Sequence, residues 1–207
     1  MRPVTATANS WLHFPYQRGD VLKCDLAPLP GAKPHVEDRM STRGFQKDST
    51  IAEGEVVTYL RRAELAGSLS ELFACALHPS KSGSSLYAYP REAQRSVCGT
   101  QTRNLRLEIY GNEVRATLAL DSGEVLRDLP MVDRDWRDFL EAALVPARGA
   151  NRLARLQHFL NVQLPCRILS CPHHFVRLGL TRPYQGRCWL MLDTLFPLPH
   201  QGWLQEF

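Results

Sequence analysis

Apolar and polar residues alternate one by one along several short segments of this chain, the pattern typical of half-buried β-strands. The clearest run covers residues 104–110 and ends in a two-residue Gly-Asn turn. Residues 114–120 and 125–129 continue the alternation around a second turn. This part of the chain is therefore predicted to form an antiparallel meander of three strands.

A second alternating pair covers residues 176–181 and 188–193, on either side of a Pro-Tyr-Gln-Gly turn. The pair predicts a β-hairpin that is apolar on one face. Shorter strands are predicted at residues 21–26, 85–89 and 164–170. The hairpin carries three arginines and two aromatic residues, which are Arg177, Arg182, Arg187, Tyr184 and Trp189.

Helical periodicity and N-capping residues indicate helices between these strands. Thr50 with Glu53 and Ser68 with Glu71 each fit a capping box, and Asp133 is placed to cap a third helix. The predicted helices cover residues 50–66, 68–77, 133–144 and 150–161. Many short antiparallel strands with inserted helices favour a mainly β (α+β) fold built from small barrels over a doubly wound sheet.

Composition places the chain among ordinary globular proteins, with 207 residues, 44% hydrophobic and 22% charged. The sequence shows neither a membrane-length apolar run nor a secretory leader, so we expect a cytoplasmic protein without membrane contact. The net charge of +4 is unevenly distributed, because residues 148–187 hold seven arginines and neither Asp nor Glu.

Arginine forms planar, bidentate contacts to phosphate and stacks on bases. Arg148, Arg152 and Arg155 recur at helical spacing and would extend the hairpin's positive charge along one helix face. Basic residues beside aromatic ones are what a single-stranded nucleic acid requires of its binding surface. The plainer alternative is a solvated face of arginines and a tryptophan in the core.

Two further kinds of site fit parts of the pattern. Cys166, Cys171, His173 and His174 include metal-ligand residue types, yet structural zinc usually needs two close pairs, so the chain is predicted to hold neither metal nor cofactor. His35 and Asp38 offer acid–base groups, and Cys98 a candidate nucleophile. An enzyme acting on modified nucleotides is therefore an alternative, although a non-catalytic protein is the main expectation.

The order of short motifs resembles the dual OB-fold domain family of bacterial defence and conflict gene neighbourhoods. The motifs are Arg2-Pro3-Val4, Arg18-Gly19-Asp20-Val21-Leu22, Pro34-His35-Val36-Glu37-Asp38-Arg39, Ser84-Ser85-Leu86-Tyr87, Val114-Arg115-Ala116, Asp128-Leu129-Pro130-Met131-Val132-Asp133-Arg134-Asp135-Trp136, and Arg177-Leu178-Gly179-Leu180-Thr181-Arg182-Pro183 with Cys188-Trp189-Leu190. The family usually has a strand before the first motif. We therefore expect an N-terminally shortened first barrel.

The resemblance implies two OB-like antiparallel barrels. The first would cover residues 1–132, with a helical insertion at about 49–77, and the second would follow a helical connector within residues 133–207. It further implies a binding or sensing subunit of a multi-component defence system. Nucleic acid, more readily single-stranded than duplex, would bind Arg148, Arg152, Arg155, Arg177, Arg182, Tyr184, Arg187 and Trp189. Arg2, His35 and Asp38 would form a second polar site. A scaffold subunit whose arginines face an acidic protein partner is the other alternative.

Overall fold

The computed structural model describes residues 2–4, 19–28, 34–35, 38–41, 44–83, 85–110, 113–133 and 173–198. Several sequence predictions fall outside these ranges, namely the third and fourth helices, the strand at 164–170 and the Gly-Asn turn. The same is true of Arg148, Arg152, Arg155, Cys166 and Cys171.

Strands dominate the described part of the chain, and only two short helices accompany them. The elements in chain order are β1 (Arg2–Val4), β2 (Asp20–Lys23), β3 (Leu26–Pro28), β4 (Asp38–Ser41), β5 (Gln46–Thr50), α1 (Glu53–Arg62), α2 (Leu69–Phe73), β6 (His78–Pro79), β7 (Leu86–Ala88), β8 (Val97–Tyr110), β9 (Glu113–Leu120), β10 (Val125–Pro130), β11 (His173–Leu180) and β12 (Cys188–Leu198). Neither α1 nor α2 is long and apolar enough to cross a bilayer.

Seven strands form the main sheet, in the order β10-β9-β8-β11-β12-β7-β6, and every neighbouring pair is antiparallel. The predicted mainly antiparallel β fold with short inserted helices is thereby confirmed, as are the meander and the C-terminal hairpin. The sheet takes strands from both sides of residue 132, the expected domain boundary.

β8 is longer than the alternation predicted, and its two halves pair with different strands. Its residues 97–102 pair with β11, and its residues 102–110 pair with β9. The register with β9 shifts at Arg103, between Thr102 and Asn104, where the strand changes partners. Sequence reasoning missed the first half because its buried positions, Cys98, Thr100 and Thr102, are small or polar rather than aliphatic.

The core lies on the inner face of this sheet. The alternating leucines of the C-terminal hairpin are almost completely buried, as are Leu118 of β9 and Leu129 of β10. α2 contributes Leu72 and Phe73 to the same cluster. The helix begins at the predicted N-cap, Ser68, whose backbone N–H donates to the Glu71 carboxylate at 2.6 Å.

The end of β10 also contacts β12. Met131 and Leu192 form an isolated parallel bridge, and the Val132 backbone N–H donates to the Leu192 carbonyl at 3.0 Å. The buried Asp133 carboxylate accepts a hydrogen bond from the Leu195 backbone N–H at 2.9 Å. Asp133, expected only as a helix cap, thus ties β10 to β12.

The N-terminal strands form two small sheets, with orders β1-β4-β3 and β2-β5. β5 was not predicted, and the predicted N-cap of the first helix is wrong by two residues. Thr50 ends β5, where its hydroxyl donates to the Asp20 carboxylate at 3.1 Å, so Ala52 becomes the N-cap of α1. α2 likewise ends at Phe73 rather than Leu77, because Ala74 adopts a left-handed conformation at the C-cap.

Candidate functional site

A tight two-residue turn holds the tip of the hairpin between β11 and β12. Gln185 and Gly186 both have positive φ, 50° and 74°, as a type I′ turn requires. The Tyr184 N–H donates to the Arg187 carbonyl at 2.8 Å, and the Arg187 N–H donates back at 3.1 Å. The turn leaves Arg182 exposed and Tyr184 64% exposed.

Next to the tip, Arg187 and Trp189 join an aromatic cluster supplied by β6 and β7. The Arg187 guanidinium carbon lies 4.6 Å from the ring centroid of Tyr87 and 5.8 Å from that of Trp189. The Tyr87 and Trp189 ring centroids are 5.2 Å apart. Arg187 therefore stacks on aromatic rings, and Trp189 is half-buried rather than part of the core.

Tyr89 and His78 complete this aromatic cluster (His78, Tyr87, Tyr89, Trp189 and Arg187). The Tyr89 ring lies edge-on to Tyr87 at 5.4 Å, and the His78 ring is 5.3 Å from Tyr89. The hydrogen bond with Tyr87, together with the charge of that neighbour, raises the pKa of the Tyr89 hydroxyl. Tyr89 therefore remains a neutral donor near physiological pH, and 41% of its surface is exposed.

Arg177 has a different environment at the far end of the hairpin. Its Nε donates to the Asp193 carboxylate at 2.6 Å. Asp193 is the extra residue of a β-bulge, because Arg177 pairs with Thr194 and Leu178 with Leu192. The bulge turns Asp193 onto Arg177, so a carboxylate already neutralises this predicted phosphate ligand.

The residues of the predicted second polar site lie on two neighbouring strands and in a segment next to the hairpin. β1 and β4 run parallel, with Arg2 directly opposite Asp38 in register. His35 is buried, and its Nε2 lies 3.2 Å from the Thr181 carbonyl, which is next to the hairpin tip. The Thr181 hydroxyl in turn accepts a hydrogen bond from the Trp189 N–H at 2.9 Å. His35 is thus placed to support the hairpin backbone.

The described cysteines are free thiols, and three of them have a raised pKa that makes them poor candidates for nucleophiles. Cys98 is buried, and desolvation raises its pKa to about 12. Burial raises the pKa of Cys75 and Cys188 as well. A protonated, enclosed thiol is a poor nucleophile. Within the described ranges, no three His, Cys, Asp or Glu side chains are grouped to hold a metal ion.

Sequence reasoning overlooked four residues of this surface: His78, Tyr87, Tyr89 and Asp193. One signal was available, since Tyr87 and Tyr89 are two residues apart in a predicted strand and so share a face. No comparable signal existed for Asp193, because its position depends on the bulge.

Comparison with known proteins identifies no relative. No family model, curated protein or solved structure matches this chain.

Proposed function

We propose that this protein binds single-stranded nucleic acid without catalysis, through the tip of the β11–β12 hairpin and the adjacent aromatic cluster. The observation that carries the proposal is that exposed Arg182 and Tyr184 lie on the hairpin that also places Arg187 against Tyr87 and Trp189. Guanidinium groups would contact phosphates, and the exposed ring would stack on a base.

The strand arrangement supports an OB-like barrel as the scaffold. Antiparallel pairing links β10, β9, β8, β11 and β12 in that order, and the parallel bridge between Met131 and Leu192 connects the last strand back to the first. An OB-fold is a five-stranded, partly open Greek-key barrel. In chain order these five strands are β8 to β12, so the turn between β11 and β12 corresponds to the loop between the fourth and fifth strands of an OB-fold. That loop is one of the two that bind oligonucleotides in OB-folds.

The charge of the surface supports phosphate as the partner of the tip. Two other arginines of the sheet are next to carboxylates: Arg106 lies 2.9 Å from Glu108, and Arg115 pairs with Glu113. Arg187 instead lies over aromatic rings, which are neutral and leave the full positive charge on the guanidinium. A planar cation on an aromatic support suits both phosphate contact and base stacking.

The broader setting rests on the family resemblance alone. We propose a sensing subunit of a bacterial defence system that works in the cytoplasm with a protein partner. An enzyme centred on His35 is less well supported, because that imidazole is buried against the Thr181 carbonyl. A scaffold role becomes the alternative if nucleic acid does not bind.

The test is fluorescence anisotropy with a labelled oligothymidylate of about 16 nucleotides, the upper site size of one OB-fold. Matched single-stranded RNA and duplex DNA serve as further probes, each at two salt concentrations. We expect binding to the single strands that weakens as salt rises. The double variant Arg182→Ala/Tyr184→Ala should bind at least about tenfold more weakly, since one lost base stack alone is worth about 1–3 kcal/mol.

A matched control is available on α1, where the exposed Tyr59 also has an arginine over its ring, Arg62 at 5.6 Å. Tyr59→Ala/Arg62→Ala removes the same residue types and should bind as the wild type does. Equal losses in both double variants would contradict a site at the hairpin tip. Absence of binding by folded wild-type protein to all probes would overturn the proposed function, and co-purification with a protein partner would then favour the scaffold.

A further inference from the structure

The ion pair between Arg177 and Asp193 lies on the same face of the hairpin as the aromatic cluster. Thr181 and Trp189 are hydrogen-bonded across the hairpin, and Gly179 pairs with Met191 one step further along. Asp193 follows on the same side of β12. Since strands rise about 3.3 Å per residue, the pair lies roughly 13 Å from Trp189 along the strand.

Gly179 and Met191 lie between the cluster and the ion pair. Gly179 has no side chain, and a Cβ there would lie 3.3 Å from Met191 Cε and 3.5 Å from Asp193 Cβ. The Met191 side chain therefore lies over Gly179 and forms an apolar strip between Trp189 and Asp193. A single strand that contacts Trp189 could follow this strip to Arg177, because OB-fold sites extend over several nucleotides.

We infer that Asp193 competes internally with phosphate for the Arg177 guanidinium, and so limits how tightly a nucleic-acid strand is held beyond the aromatic cluster. This inference rests on the proposed function. Its basis is the geometry, in which a carboxylate oxygen lies 2.6 Å from Arg177 Nε, where a phosphate oxygen would bind. A bulged strand position directs the carboxylate there.

The pair is accessible enough for exchange. The side chain of Arg177 is 50% exposed and that of Asp193 is 24% exposed. An ion pair at such a surface contributes little to folding stability and opens easily. A phosphodiester can replace the carboxylate as the acceptor of the Arg177 hydrogen bond. The released Asp193 carboxylate then lies beside the phosphate, and the two negative charges repel each other. The result is weaker binding than a lone arginine would give.

The variant Asp193→Asn tests this inference because it keeps the shape of the side chain and removes its charge. With the same oligothymidylate at low salt, affinity should rise about fivefold, as expected for one uncompensated charge near a phosphate in water. The salt dependence should steepen, with the slope of log K against log salt growing by about 0.7, the value of one added phosphate contact on a single strand.

Two comparison variants separate competition from bulk charge. Asp121→Asn makes the same chemical change in the exposed turn after β9. In an Arg177→Gln background there is no guanidinium that Asp193→Asn could free for phosphate. The gain in affinity from Asp193→Asn should therefore be much smaller in that background. Equal gains from Asp193→Asn and Asp121→Asn, or an undiminished gain in the Arg177→Gln background, would overturn the inference while leaving the proposed function intact. Absence of binding by wild type and both single variants would overturn both.

Discussion

The two faces of the β11–β12 hairpin differ sharply although their residues alternate along the same strands. The inner face carries Leu178, Leu180, Leu190 and Leu192, each no more than 1% exposed. The outer face carries arginines, a half-buried tryptophan and a carboxylate. Inner residues share one environment, so their contribution to the stability of the fold follows from their burial. Outer residues depend on cross-strand partners, and Arg177 and Arg187 therefore have unlike surroundings.

The largest effect is expected on the inner face. Leu178→Ala removes a fully buried side chain opposite Cys98 and should lower the free energy of unfolding by about 2–5 kcal/mol. Urea denaturation followed by circular dichroism measures this change. Tyr184→Ala, at the outer tip, is the control and should unfold as the wild type does. A small loss for Leu178→Ala would contradict the assignment of this face to the core.

The second-largest effect is expected at β8, where Gly99 packs against the ring of Phe175. A Cβ at Gly99 would collide with Phe175 Cζ and lie 3.3 Å from the Ala63 carbonyl oxygen. Gly99→Ala should therefore cost about 1–3 kcal/mol of stability. In a Phe175→Leu background the added cost should be smaller, because the ring atom that collides is gone. An unchanged cost in a double-mutant cycle would contradict this contact.

A smaller effect is expected from the cation stacked on the outer face. Arg187→Ala removes the guanidinium over Tyr87 and Trp189 and should lower stability by about 0.5–1 kcal/mol, the usual range for exposed cation–π contacts. Arg187→Lys keeps the charge without the planar group, so its stability should lie between those of the wild type and Arg187→Ala. Thermal unfolding provides the measurement. A loss of stability as large as that of Leu178→Ala would contradict the difference between the two faces.

At neutral pH the smallest effect, a change of zero, is expected for the inner thiol Cys98. Its folded-state pKa of about 12 lies above the ordinary value of 9.0, so folding favours the protonated form. The contribution of this thiol to stability should therefore be constant below about pH 9 and should fall as pH rises from 9 toward 12, where only the unfolded thiol ionises. Cys98→Ala should show a weaker fall in urea denaturation at alkaline pH. Rapid alkylation of native Cys98 at pH 8 would contradict its burial.

Local patterns in the sequence were sufficient to predict the meander, the C-terminal hairpin and the cap at Ser68, because each depends on neighbouring residues. They were insufficient for β5 and for the first half of β8, which pair with distant segments and lack aliphatic alternation. The aromatic cluster shows the same limit. Trp189 was predicted as a contact residue, but its neighbour Tyr87, and His78 beside Tyr87, come from strands about 100 residues earlier.

The pairing of β8 has a consequence for how the protein is made. Leu178 of β11 pairs with Cys98 of β8, about 80 residues earlier in the chain. During synthesis at about 5–20 residues per second, β8 waits roughly 4–16 s before β11 is translated. Through that interval β8 can form its hairpin with β9, yet its other edge has no partner strand. A chaperone that shields unpaired strand edges would therefore have its main opportunity at this stage of translation.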